Sequence, residues 1–285
     1  MDKMSLSERI TYSTAKVCCK VKKDGQELIS TGTGFIMYLC QDNVNNICIP
    51  VLITNKHVVD GSYGTYFELC LCDEDNNPRD TETFAIEYSG NPWIYHPNND
   101  VDLACLPIGT SLNELKRNGI HLFYLPLTKD YIITPEYLKI ATAVENIVMV
   151  GYPKGLSDTY NHKPIIRQGI TASHIKKDYL GKKEFLMDIA SFHGSSGSPI
   201  FILNEGIYKD INGHMSIGSH IAFIGILYAG PRNLEKGILQ FDYIPSLPTP
   251  ILDIPINLGI AIKAEEILAF EPILSQLNIT ETNNG

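Results

Sequence analysis

Apolar residues along this chain gather in short runs separated by polar turns, the pattern of an antiparallel β protein. Lys16–Val21 is strand-like after a short helical turn, and Lys22-Lys23-Asp24-Gly25 reads as a hairpin turn. Gly32-Thr33-Gly34 precedes the apolar run Phe35–Leu39, and the polar stretch 41–46 precedes a second run, Ile47–Thr54. Tyr66–Cys72, Phe84–Tyr88 and Val101–Pro107 are further strands. Residues 109–137 are less regular, with a short helix predicted at Ser111–Asn118. A second series of strands follows at Ile147–Val150, Ile165–Ser173, Glu184–Ile189, Pro199–Leu203, Ile221–Tyr228 and Ile260–Ile262. Five prolines between Pro231 and Pro255 make that segment unsuited to central strands. Ala264–Leu277 has an amphipathic face and predicts a helix that Pro272 bends or splits.

Composition narrows the classes of function. The 285 residues suffice for one large domain or two small ones, each with a core. Lys and Arg number 23 against 32 Asp and Glu, a net charge of −9, which argues against nucleic acid or an anionic membrane as partner. No uninterrupted apolar stretch is long enough for a membrane helix. The opening M-D-K-M-S-L-S-E-R-I has no basic region leading into an apolar core, so no export signal is expected. Seven cysteines, all within the first 105 residues, then read as reduced thiols in a cytoplasmic protein. Cys70-x-Cys72 lacks zinc-knuckle spacing and a second pair. No H-E-x-x-H-type cluster points to a metal, and no metal or organic cofactor is expected.

Chemistry concentrates in D-I-A-S-F-H-G-S-S-G-S-P-I-F, residues 188–201. Strand-like flanks enclose a Gly/Ser turn in which Gly194 and Gly197 permit backbone angles closed to other residues. Ser196 at its centre is a candidate nucleophile, and a curled turn would aim the N–H groups of Gly194 and Ser196 at the oxygen of an attacked carbonyl. The plain alternative is a Gly/Ser-rich surface loop. A serine hydroxyl needs a base, and the base needs an orienting acceptor. His57 ends the apolar run V-L-I-T-N-K-H-V-V, where a strand end would hold it rigidly; the alternative is a packed core histidine. His96 and His193 read as surface residues. Asp102, within V-D-L-A-C-L-P-I, suits a buried carboxylate partner, with Asp100 as its rival on the same face of an extended chain.

Taken together, these blocks resemble the trypsin-like (chymotrypsin-fold) serine peptidases, in style a bacterial intracellular type near the protease domain of the HtrA/DegP group. G-T-G-F-I resembles the family's first core strand, T-N-K-H-V-V its histidine block and D-V-D-L-A-C-L its aspartate block. V-G-Y-P-K-G with R-Q-G-I-T-A-S resembles the first hairpin of the second barrel, and G-S-S-G-S-P-I-F the serine block. G-I-L-Y-A-G resembles the strand that pairs with substrate, and L-G-I-A-I-K the closing strand.

The resemblance implies an all-β fold of two six-stranded antiparallel barrels with a C-terminal helix. Residues 1–110 would form the first barrel, 111–140 the connection, 141–262 the second barrel with an insertion at 231–258, and 263–285 the helix and tail. It implies a serine endopeptidase acting on protein or peptide substrates, with His57, Asp102 and Ser196 as triad and Gly194 and Ser196 as oxyanion donors. Ala190 would floor the specificity pocket, with Tyr228, Ala229 and Gly230 along one wall; without an acidic floor, a small or medium apolar side chain is the expected preference.

The departures shape the expectation further. Ser195 stands where digestive members carry the aspartate that captures a freed N-terminus, so that activation route is not expected. Only a short tail follows the last helix, so a PDZ module, peptide sensing and trimer assembly are not expected either. The insertion 231–258 starts just after the substrate-pairing strand, a position from which it would cover the cleft, and a regulatory partner protein fits such a design. The competing reading is a catalytically silent protease-fold module that binds a peptide or protein.

Overall fold

The computed structural model describes residues 4–23, 25–42, 44–45, 47–209, 212–230, 232–236, 251–255 and 257–277. A short helix α1 (Leu6–Thr11) opens it, closed at its start by a capping box between Ser5 and Glu8. The first sheet contains β1 (Thr14–Lys23), β2 (Gln26–Asp42), β3 (Ile47–Thr54), β4 (Ser62–Cys72), β5 (Pro78–Ser89), β6 (Ile94–Tyr95), β7 (Ala104–Pro107) and β8 (Leu122–Phe123). Their order is β5-β4-β1-β2-β3-β7-β6, with β8 added to β4. Eight strands stand where six were expected because β6 and β8 are two-residue pairings, too short to leave a periodic trace in the sequence. Helices α2 (Lys56–Val59), α3 (Gly109–Arg117) and α4 (Pro135–Ile140) interrupt or follow the sheet.

The second unit is a closed six-stranded barrel, ordered β10-β11-β16-β13-β12-β9. Its strands are β9 (Asn146–Gly151), β10 (Ile165–Thr171), β11 (Glu184–Asp188), β12 (Pro199–Lys209), β13 (Met215–Ala229) and, after the insertion, β16 (Leu258–Lys263). The insertion contributes β14 (Arg232–Lys236) and β15 (Ile251–Pro255), which pair apart from the barrel. Residues 237–250, and with them the expected cover over the cleft, lie outside the described residues. The C-terminal helix is split as Pro272 requires. A 3-10 turn at Ala264–Phe270 passes into α5 (Glu271–Gln276), and Pro272 falls in the first turn of α5, where its missing N–H leaves no bond unmade.

Strands β2 and β3 read as continuous apolar runs because both their faces are buried. Ile36 and Leu52 point into the first sheet's own core. Their neighbours Phe35, Met37, Val51 and Ile53 point the other way and meet Phe201, Phe223, Ile226 and Ile262 of the barrel, with Phe270 and Leu274 of the C-terminal segment. The centre of this shared core is aromatic. Phe35 and Phe223 meet edge to face at 5.3 Å, and Phe201 lies 5.4 Å from Phe223. The connecting residues are sewn to both units: Leu127 exchanges backbone hydrogen bonds with β2, and the Ile133 N–H donates to Phe223 of β13. This apolar seam fixes where the two functional halves face each other.

Candidate active site

The His57 side of the site is built within one sheet. β3 pairs with β7 so that Thr54 lies opposite Ala104, which brings the residues just beyond each strand end together. The chain before β7 curls, with the Leu103 N–H donating to the Val101 carbonyl, so the expected strand begins three residues late and Asp102 stands on a turn. Asn55, fully buried, donates from Nδ2 to the Asp102 carbonyl at 2.8 Å. His57 sits in the single turn of α2, anchored by buried Val58 and Val59.

Asp102 then grips His57 twice. Its Oδ1 accepts the His57 backbone N–H at 2.9 Å, and its Oδ2 lies 2.5 Å from Nδ1. An ionised carboxylate only accepts, so Nδ1 carries the ring proton and Nε2 presents a lone pair. That Nε2 lies 3.0 Å from the Ser196 Oγ. The imidazole is about half exposed (48%), so a substrate can reach it, whereas the Asp102 side chain is 22% exposed. Asp100, the rival, is exposed, and its backbone N–H donates to Asn98. His96 is buried rather than on the surface, packed edge-on against Phe270 with Nε2 on the Glu266 carbonyl.

The Ser196 turn is held from several directions. Within the barrel, the Gly197 N–H donates to Leu227, and the Leu227 N–H donates back to Ser198. From the loop after β9, the Lys154 N–H donates to the His193 carbonyl at 2.5 Å. From the first sheet, Thr33 donates its backbone N–H to the Ser196 carbonyl at 2.8 Å and its hydroxyl to the Gly194 carbonyl at 2.9 Å. The same hydroxyl accepts from the Tyr152 N–H and from Ser198 Oγ, and the Thr33 carbonyl accepts from Thr54 Oγ1.

Both turn glycines are forced. Gly194 has φ +82°, and a Cβ there would lie 2.7 Å from the Tyr152 carbonyl oxygen. Gly197 has φ +88°, and a Cβ there would lie 1.9 Å from the Thr33 carbonyl oxygen. With the Gly194 and Ser196 carbonyls taken by Thr33, the N–H groups of those two residues have no acceptor among the described residues. Two unspent amides beside a hydroxyl are the donor set an oxyanion needs.

The proposed pocket walls also converge. A Cβ on Gly230 would lie 3.7 Å from the Ser191 Cβ and 3.2 Å from the Leu258 carbonyl oxygen, so the 228–230 strand faces the segment after Ala190. Burial, with a hydrogen bond to Glu184, pushes the Tyr228 phenol above the ordinary range. The sequence reading passed over Thr33, Asn55 and Arg167, whose guanidinium donates to the Ala190 carbonyl. For Thr33 the signal is a hydroxyl between two glycines; for Asn55, an amide just past the end of an apolar run and two residues before His57. Neither motif names its distant partner.

None of the seven cysteines forms a disulfide, and burial pushes Cys19 up to about 11 and raises Cys18, Cys70, Cys72 and Cys105. No cluster of three or more His, Cys, Asp or Glu gathers as metal ligands among the described residues. No described helix is long and apolar enough to cross a membrane.

Comparison with known proteins gives two findings. Residues 32–206 match the family model described as a trypsin-like peptidase domain, a span that starts beside Thr33 and includes His57, Asp102 and Ser196. The glutamyl endopeptidase of Staphylococcus epidermidis is 28% identical over 153 residues, and the same match recurs for two named strains of that organism. The match covers 53% of this chain and 46% of that protein, so the chain spans about half the length of the curated relatives it matches.

Proposed function

The chain belongs to the trypsin-like peptidase family, and from that premise we propose that it is a serine endopeptidase with Ser196 as nucleophile. One observation carries the reading: His57 Nε2 stands 3.0 Å from Ser196 Oγ while Nδ1 is held by Asp102. In the reaction Ser196 Oγ bonds to the peptide carbonyl carbon as its proton passes to His57 Nε2. Asp102 stabilises the imidazolium, and the N–H groups of Gly194 and Ser196 take the negative oxygen. The C–N bond then breaks and Nε2 gives its proton to the leaving amine. Water repeats the sequence on the acyl-enzyme, His57 taking its proton and returning one to Ser196 Oγ. The substrate is an extended peptide laid along Tyr228, Ala229 and Gly230, with one side chain entering beside Ala190. Seven cysteines with no disulfide among them support action in a reducing compartment such as the cytoplasm.

A fluorophosphonate probe tests this. The wild-type protein is expected to be labelled at Ser196 between pH 7 and 9, above the ~6.5 pKa of an ordinary histidine. Ser196→Ala and His57→Ala are expected to stay unlabelled. A folded wild-type protein that never reacts with the probe would overturn the enzymatic reading in favour of a silent binding module.

A further inference from the structure

The expectation of an apolar pocket rests on Ala190 and the lack of an acidic floor, but the structure places a guanidinium on the carbonyl of that residue. Arg167, on β10, donates from Nη1 to the Ala190 carbonyl. Its guanidinium carbon lies 4.9 Å from the ring centre of Phe192, and the Lys154 ammonium lies 5.3 Å from the same ring. One aromatic, two residues after Ala190, is thus contacted by two cations. Neither forms an ion pair with a carboxylate among the described residues. Burial alone acts on the Arg167 guanidinium, lowering its affinity for the proton, with no neighbouring acid to offset it. Of the two acids on the adjacent strand β11, Glu184 is engaged by the Tyr228 hydroxyl, and Asp188, opposite Ile170, forms no ion pair with Arg167 among the described residues.

A guanidinium has five N–H donors in one plane, and a single bond to Ala190 leaves donors free. A half-buried, unpaired guanidinium is a ready partner for a carboxylate, which it binds through two parallel bonds. The local charge is also opposite to the protein's net −9, which otherwise repels acidic peptides.

We propose that Arg167, with Phe192 and Lys154 beside it, is the specificity-determining group of the pocket and selects an acidic side chain, Asp or Glu, at the residue whose carbonyl is attacked. The inference rests on Ser196 being the nucleophile.

Four fluorogenic peptides that differ only at that residue, as Glu, Gln, Ala or Lys, test it on the full chain. The Glu peptide is expected to exceed the Gln peptide in kcat/KM by about 10- to 100-fold, the yield of a charge-assisted hydrogen bond. Arg167→Gln should bring that ratio close to one, and Arg167→Lys should restore part of it. A second measurement avoids reliance on variants of Arg167. Ser196→Ala protein titrated with labelled peptides ending in Glu or in Gln should bind the former at least about tenfold more tightly. Probe labelling at Ser196 together with equal Glu and Gln rates would overturn this inference and leave the peptidase reading standing. Absence of both labelling and cleavage would overturn the peptidase reading, and this one with it.

Discussion

The His57–Asp102 pair and the Ser196 turn differ in what holds them in place. The pair is built inside one sheet, from strand ends aligned by the β3–β7 register and locked by Asn55. The turn belongs to the barrel, yet its two key carbonyls are fastened by Thr33, a residue of the first sheet. Orientation of the base is therefore a property of one layer. Distance between base and nucleophile is a property of two layers, set through one residue, Thr33, by its backbone N–H and its hydroxyl, and through the aromatic seam behind it. The comparison predicts that the two hydrogen bonds of the His57 ring, to Asp102 and to Ser196, can be broken separately.

The largest effect falls on the pair. Asp102→Asn replaces an acceptor-only carboxylate with an amide that can donate to Nδ1, which favours the tautomer in which Nε2 carries the proton. kcat is expected to fall by about 10⁴, as in the worked serine-peptidase triad, with unfolding temperature little changed. Asp100→Asn, on an exposed residue, should change kcat/KM by about twofold or less. Equal losses in the two variants would mean that the carboxylate grip is not what orients His57.

Next comes the turn itself. In Gly197→Ala the new methyl would lie 1.9 Å from the Thr33 carbonyl oxygen, on a residue at φ +88°. The clash and the strained backbone are expected to cost about 3 kcal/mol, seen as a fall of roughly 6–12 °C in Tm. A variant that melts like the wild type would show that the two layers yield easily at this contact.

Thr33→Val separates the two hydrogen bonds most directly. It keeps the shape but removes the hydroxyl that serves the Gly194 carbonyl, the Tyr152 N–H and Ser198. Each buried group left without a partner costs about 1–3 kcal/mol, partly relieved by relaxation. A turn displaced by about 1 Å loses up to about 100-fold in kcat. The low-field proton resonance of the His57–Asp102 bond should persist, because nothing within that sheet has changed. Loss of that resonance together with activity would merge the two regions into one unit.

The same division explains what was legible in the sequence. Ile47–Thr54 and Val101–Pro107 are apolar runs, so His57 and Asp102 stand out as polar residues at or just beyond their ends. The Ser196 turn declares itself through its glycines. Thr33, Asn55 and Arg167 act through backbone carbonyls of residues far along the chain, at Gly194, Asp102 and Ala190. A carbonyl has no side-chain identity, so no residue pattern marks it as a partner. Ala190 alone suggested an apolar pocket, and the cation beside it comes from β10, whose sequence I-I-R-Q-G reads as an ordinary strand. The two-residue strands β6 and β8 were invisible because a period of two needs more than two residues.

The finest test of the comparison lies in the two serines that flank Ser196. Ser195 and Ser198 are equally buried, at 0% exposure. Ser198 Oγ donates to Thr33 Oγ1 at 3.2 Å, so it belongs to the fastening between layers. Ser195 Oγ has no hydrogen-bond partner among the described residues. A buried hydroxyl without a partner already carries its desolvation penalty, and deleting it removes that penalty with the atom. Ser195→Ala is therefore expected to shift stability by less than about 0.5 kcal/mol, in either direction, whereas Ser198→Ala should lose about 1 kcal/mol. Paired thermal melts at one protein concentration resolve that difference. If Ser195→Ala loses as much as Ser198→Ala, its hydroxyl must be bonded on the side away from Thr33. The turn would then be fastened from within the barrel as firmly as from across it.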